Sequence, residues 1–173
     1  MKTYATVCSG IECMSVACRG LPLRPVFFSE IEPFPCAVLR ARYPDVPNLG
    51  DMSRIRVSPV SSVSHGPVTS TSMEITNGST RIVLDSPLDI LAGGTPCQDV
   101  SVAGKRAGMA QGSKTRSSLA FEFMRLAREL RPRYVLWENV AGCIDARNAP
   151  DFLKFANALG ACGYSVAWRV LDA

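Results

Sequence analysis

Positions 89–98 read Asp89-Ile90-Leu91-Ala92-Gly93-Gly94-Thr95-Pro96-Cys97-Gln98. The short apolar run at Asp89–Ala92, closed by two glycines, is the pattern of a buried strand. Pro96 stiffens the backbone before Cys97, and Gly93 and Gly94 permit close approach of ligand and backbone. A thiol on a stiff loop past such a strand lies where open α/β sheets hold their ligands. Tyr134–Trp137 is a second apolar strand, and Glu138-Asn139-Val140 follows it. A nucleophile and an acid delivered to one sheet edge make a candidate active site.

Outward from this core the chain alternates between strands and helices. Tyr4–Cys8 reads as a strand followed by a small-residue turn at Ser9-Gly10, and a short helix through Met14, Val16 and Ala17 ends at Gly20. Pro25–Phe28 is a strand, Pro33–Tyr43 a helix closed by Pro44, and a short extended piece leads to Leu49-Gly50-Asp51. After a loop from Gly93 to Arg116, a helix capped by Ser117 or Ser118 carries the stripe Leu119, Phe123, Leu126 and Leu130 and stops at Pro132. Pro150 opens another helix with Phe152, Phe155 and Leu159 on one face, and Tyr164–Leu171 reads as a last strand. This alternation predicts an α/β fold with a mostly parallel, doubly wound sheet.

One stretch breaks the rhythm. Val57–Pro87 holds twelve Ser or Thr residues and three charged ones, and structureless loops of that length are uncommon in compact domains. Its first part, to about Ser72, has no periodicity. Its second part predicts a hairpin turning at Asn77-Gly78, which pairs Thr76 with Ser79, Ile75 with Thr80, Glu74 with Arg81 and Met73 with Ile82. That register sets opposite charges on one face and Met73, Ile75 and Ile82 on the other.

At 173 residues the chain suits one domain, and its 47% hydrophobic and 20% charged residues are those of a globular protein. No apolar run reaches membrane-spanning length, and Met1–Val7 enters a strand without a signal h-region, which predicts a cytoplasmic protein with no membrane partner. The seven cysteines (8, 13, 18, 36, 97, 143 and 162) show no CxxC spacing, which argues against zinc or a disulfide framework. Outside Cys97 they read mostly as small buried residues. From Lys105 to Arg133 eight basic residues face two acidic ones, a surplus of six in a chain of net charge +4. Arg125, Arg128 and Glu129 read as a solvated helix face, with Arg125 and Glu129 an i,i+4 pair. Lys105, Arg106, Lys114 and Arg116 lie on the loop after Cys97 and suit a phosphate backbone.

Five ordered segments then carry a resemblance: Cys8-Ser9-Gly10-Ile11-Glu12, Ser29-Glu30-Ile31-Glu32-Pro33-Phe34, Gly50-Asp51-Met52, Gly93–Gly104 and Glu138-Asn139-Val140. In order and kind they resemble the DNA cytosine-5 methyltransferases of bacteria and phages, many of them from restriction-modification systems. The resemblance implies a Rossmann-like methyltransferase sheet, here truncated after its sixth strand, over a partial catalytic domain at 1–173 with an insert at about 57–87. It implies Cys97 as the nucleophile that attacks C6 of a flipped cytosine and Glu138 as the acid at N3, its carboxyl partly desolvated by the strand before it. Asn139 is expected to hold the turn.

S-adenosylmethionine is the implied methyl donor, with Cys8, Ser9, Gly10 and Ile11 at its methionine part. Glu30 falls at the ribose hydroxyls, Asp51 at the adenine amine, and Ile31 and Met52 at the ring, with Pro96 and Leu119 completing the pocket. Gln98, Ser101 and the basic loop residues would face double-stranded DNA. Glu12-Cys13 stands where two glycines are common in the family, and Cys8 where phenylalanine is frequent. There is no GxGxxG, which argues against a dinucleotide. The family's next strand, with a Gln-Arg-Arg-type motif, and its target-recognition region are not in the sequence. A second polypeptide supplying them, a non-catalytic cofactor-binding remnant, and an RNA cytosine methyltransferase are the alternative readings.

Overall fold

The computed structural model describes residues 1–60, 72–96 and 119–172. It divides into two compact units, 1–93 with 129–136, and 94–128 with 137–173. In chain order the elements are β1 (Lys2–Val7), α1 (Cys13–Ala17), β2 (Leu23–Ser29), α2 (Pro33–Arg42), β3 (Arg56–Pro59), β4 (Met73–Asn77), β5 (Thr80–Leu84), β6 (Ile90–Gly94), α3 (Leu119–Leu130), β7 (Tyr134–Glu138) and α4 (Ala149–Ala161).

The main sheet has the order β2-β1-β6-β7. β1 lies in parallel register with both β2 and β6. A strand flanked on both edges and covered on both faces has little use for alternation. Tyr4, Ala5, Thr6 and Val7 are accordingly all buried, as are Val26, Phe27 and Phe28 of β2. The expected α/β architecture is therefore present. Pro33 opens α2, where its fixed φ suits the first helical turn, and Arg40 and Arg42 close it, where positive charge meets the carbonyl end.

The amphipathic reading of α3 holds for Phe123, Leu126 and Leu130, which are fully buried with Ala120 and Ala127, whereas Leu119 is only half-buried. Its Arg125 pairs with Glu122 at 2.8 Å. On α4, Phe152, Phe155 and Leu159 are buried as expected. The Trp137 ring lies 4.5 Å from that of Phe155 and 6.4 Å from that of Phe152.

Three expectations are corrected. The insert carries a three-stranded antiparallel sheet, β3-β4-β5, because Arg56–Pro59 pairs with β4 where no periodicity had been legible. Residues 61–71 lie outside the described ones. The hairpin turns at Gly78-Ser79, with Asn77 opposite Thr80, Thr76 opposite Arg81, Ile75 opposite Ile82 and Met73 opposite Leu84. Gly78 has φ +58 and Ser79 does not have positive φ, the signature of a type II′ turn with glycine at its first central position. Each strand has moved by one residue, a combined shift of two, so every side chain keeps its face. Met73, Ile75 and Ile82 still share one face, and Arg81 still pairs with Glu74 on the other.

The third correction concerns Tyr164–Leu171, which forms no strand. A strand needs a neighbour to receive its backbone groups, and no described strand pairs with this segment. Val166, Trp168, Val170 and Leu171 are exposed, with Trp168 meeting Phe152 edge-on at 5.4 Å. The described parallel sheet thus has four strands rather than six; the extended piece after α2 reaches it as a single bridge between Phe28 and Asn48.

Candidate active site

Three loops gather at the carboxyl ends of β1 and β2. The turn after β1 begins with Cys8 at φ 49 and contains Gly10 at φ 55. The backbone N–H of Gly10 donates to Glu30 Oε2 at 2.7 Å, joining the first loop to the second. Glu30 Oε1 accepts from the N–H groups of Ile31 and Glu32 at 2.8 and 2.9 Å. An ionised carboxylate has about four acceptor sites, so roughly one remains open on Glu30.

Asn48 joins the second loop to the third. Its Oδ1 accepts from Glu30 N at 2.9 Å and from Gly50 N at 3.1 Å, and its Nδ2 donates to Glu30 O at 3.1 Å. Ser29 Oγ donates to Gly50 O at 2.6 Å. Asp51 Oδ1 accepts from both the N–H and the hydroxyl of Ser53, at 2.9 and 2.8 Å, and so caps the short 3-10 turn Met52–Arg54. Asp51 Oδ2 has Arg54 3.7 Å away in a largely exposed pair. Around these carboxylates Ile11 and Ile31 are exposed, while Met52 is buried.

Glu12 departs from a glycine-glycine turn, and the structure gives it work. It is almost fully buried, with left-handed backbone at φ 70, where a glycine would sit without strain. Its carboxylate caps α1 by accepting from Ser15 N and Ser15 Oγ at 3.0 Å, and it accepts from Thr6 Oγ1 at 2.6 Å. Burial raises the Glu12 carboxyl above its usual range, opposed by the bonds from Thr6 and Ser15. Cys8 is pushed up to about 12, first by burial and then by the Glu30 and Asp51 carboxylates. Its thiol is therefore held in the neutral form.

In the second unit, the strand ends carry a clasp around Thr95. Trp137 Nε1 donates to Thr95 Oγ1 at 3.0 Å, and Asn139 Nδ2 donates to Thr95 O at 3.0 Å. Asn139 Oδ1 accepts from Val140 N at 2.9 Å, so Asn139 holds the turn as expected. Thr95 is buried, and it fixes the backbone leading into Pro96. Glu138 Oε2 stands against Gly94, 2.8 Å from where a Cβ would be.

Glu138 is exposed, which corrects the expectation of a partly desolvated carboxyl: the apolar run ends at Trp137. The cysteine reading is corrected too, since among the described cysteines Cys143 alone is buried while Cys13 and Cys162 are exposed.

The first unit thus brings together Cys8, Ser9, Gly10, Ile11, Glu30, Ile31, Asp51 and Met52. The second contains Pro96, Leu119 and Glu138. Cys97, Gln98, Ser101, Lys105, Arg106, Lys114 and Arg116 lie outside the described residues. Sequence reading missed Ser29, Asn48, Thr95 and Trp137 as positioning groups. The only local signal was their place within or beside the motifs.

A family model described as C-5 cytosine-specific DNA methylase matches residues 3–173. The chain belongs to that family. Among curated relatives, a "DNA N-6-adenine-methyltransferase" of Escherichia phage P1 is 37% identical over 83% of this chain but only 17% of its own length. The type II methyltransferase M.NlaIV of Neisseria lactamica is 31% identical over 92% of this chain and 31% of its own length. M.AquIA of Picosynechococcus is 30% identical over 99% of this chain and 65% of its own length.

The chain therefore spans about a sixth to two thirds of these three relatives. The adenine activity in the phage protein's name is that of a protein of which this chain matches a small part. A solved structure described as a DNA modification methyltransferase encoded within an Escherichia coli prophage superposes with a TM-score of 0.62 at 19% identity. That match covers 93% of this chain and 38% of the other, and it supports the methyltransferase fold. Among the described residues no cluster of His, Cys, Asp and Glu could hold a metal ion, and no helix is long and apolar enough to cross a membrane.

Proposed function

We propose that this chain is the cofactor-binding, catalytic portion of a DNA cytosine-5 methyltransferase that uses S-adenosylmethionine and Cys97. What carries the reading, beyond family membership, is the gathering of three loops at one sheet edge, tied through Gly10, Glu30, Asn48 and Gly50.

The residues fit S-adenosylmethionine. The turn at Cys8-Ser9-Gly10-Ile11 presents a small-residue backbone to the methionine part. Glu30 keeps an open acceptor for a ribose hydroxyl. Asp51 Oδ2 is the freer oxygen for the adenine amine, and exposed Ile31, with Met52, offers apolar contact to the ring. Pro96 and Leu119 would complete the pocket. When bound, the cofactor supplies an electrophilic methyl group.

Cys97 would add as a thiolate to C6 of the flipped base, breaking aromaticity and leaving C5 a nucleophilic enamine carbon. The displaced electron density moves toward N3, where Glu138 hydrogen-bonds and stabilises it. Once C5 has formed its bond to the methyl group and S-adenosylhomocysteine has left, loss of the C5 proton to a base and departure of the thiolate from C6 restore the ring. Gln98, Ser101, Lys105, Arg106, Lys114 and Arg116 would hold the DNA beside the extruded nucleotide. Sequence selection we assign to an assembly that also holds a Gln-Arg-Arg-type strand and a target-recognition region, on this polypeptide or a second one.

Duplex DNA bearing 5-fluorocytosine tests the reading, because fluorine blocks the final elimination. The complete enzyme should form an adduct that survives denaturation. Cys97→Ser should abolish the adduct while leaving S-adenosylhomocysteine binding nearly intact. An adduct that persists in that variant would exclude Cys97 as the nucleophile.

A further inference from the structure

The insert contains none of the family motifs, yet it reaches into one of them. Asn77, the last residue of β4, donates through Nδ2 to Leu49 O and, at 3.1 Å, to Asp51 O. Between those carbonyls, Gly50 O is held by Ser29 Oγ, and Gly50 itself has φ +67. Three successive carbonyls, 49 to 51, are thus captured by side-chain donors, which fixes the peptide planes on both sides of the Asp51 Cα. Downstream, Asp51 leads through one 3-10 turn into β3, whose ladder with β4 ties the chain to the same hairpin. The turn at Gly78-Ser79 leaves Asn77 a strand residue whose amide is free to make these two bonds.

We propose that the β3-β4-β5 sheet braces the Asp51 loop and that Asn77 is a positioning residue for recognition of the adenine amine. The proposal rests on the reading of these loops as an S-adenosylmethionine site. Asn77 never touches the ligand; it sets the direction in which Asp51 projects. The Asn77 amide has two N–H donors, one for each carbonyl. A carboxylate at the same place would set negative charge against two carbonyl oxygens.

Calorimetry on the full chain with two ligands separates positioning from general support. S-adenosylhomocysteine carries the adenine amine, and S-inosylhomocysteine carries an oxo group there. The wild-type chain should prefer the first. Asn77→Ala should weaken S-adenosylhomocysteine by about tenfold, the scale of one lost charge-assisted bond, and change the inosine analogue by less than about twofold. The isosteric Asn77→Asp should do at least as much. Adding Asn77→Ala to Asp51→Asn should cost nothing further, since both act through one contact. An unchanged affinity for S-adenosylhomocysteine, or an equal loss for both ligands, would overturn the proposal. A wild-type chain that binds neither ligand would sink the cofactor reading instead. The brace is then judged by amide exchange in the ligand-free chain: faster exchange at Asp51 and Ser53 in Asn77→Ala upholds it, and unchanged exchange overturns it.

Discussion

Glu12 illustrates how one residue can replace the usual chemistry of a turn. A glycine there would meet the left-handed backbone without strain, whereas glutamate accepts that strain and returns three hydrogen bonds, to Ser15 N, Ser15 Oγ and Thr6 Oγ1. Burial raises its folded-state pKa above the unfolded value of 4.5. The native state therefore keeps a proton that the unfolded chain has released. The associated stability is fully present below the unfolded pKa and is lost as pH rises through the folded one. Glu12→Gln keeps the shape and removes the titration. Urea unfolding should find the variant gaining on the wild type as pH is raised from about 4.5 toward 7, the interval above the unfolded value. Glu12→Ala removes the acceptor shared by Thr6 Oγ1, Ser15 N and Ser15 Oγ and should cost on the order of 1–3 kcal/mol at either pH. A difference between wild type and Glu12→Gln that stays flat with pH would show that burial does not hold this carboxyl above its usual range.

Pairs of elements set the second scale, where the ends of β6 and β7 meet. Gly94 has no positive φ and needs no glycine for its backbone. What it provides is space, because an added Cβ would stand 2.8 Å from Glu138 Oε2 and 3.9 Å from its Cδ. The clash is with the far end of a flexible side chain, so Gly94→Ala should leave the fold intact and move the carboxylate. Thermal unfolding should shift by only a few degrees, within the range of a ~1 kcal/mol change. Methyl transfer should fall by roughly 10- to 100-fold, the scale of a misplaced reacting group. An unchanged rate would remove Glu138 from the chemistry. The sequence made both strands legible, because short apolar runs ended by Gly-Gly and by Glu-Asn leave few other readings. It also made Asn139 legible as a turn residue. The Thr95 clasp was not legible, since a hydroxyl receiving bonds from an indole and an amide more than forty residues away is a tertiary event. The hairpin failed for a related reason. Asn-Gly is a strong local turn signal, but Asn77 stands in the strand with its amide bonded to two carbonyls of the Asp51 loop, a tertiary contact that local turn chemistry does not report.

Across the whole molecule, order should follow hydrogen-bond partnership rather than hydrophobicity. β1 has a parallel neighbour on each edge, and its last four residues are buried. Residues 165–171 are rich in apolar side chains, which is why they read as a strand, yet Val166, Trp168 and Val170 stand exposed. Sequence periodicity reports which faces a strand would bury, not whether a neighbouring strand exists to receive its backbone. That missing term explains why this segment did not form a strand. Protection against amide exchange measures the same term directly. Amides in Tyr4–Val7 and Leu91–Ala92 should exchange only through global opening, with protection corresponding to several kcal/mol, within the range of ~5–15 kcal/mol typical of domains. Amides in Ser165–Leu171 should exchange near the rate of an unstructured chain. If a second polypeptide carries the Gln-Arg-Arg-type strand, adding it should raise protection in Ser165–Leu171 and leave Tyr4–Val7 unchanged. Strong protection of Ser165–Leu171 in the chain alone would mean that the segment finds a ladder partner by itself, and would defeat the prediction.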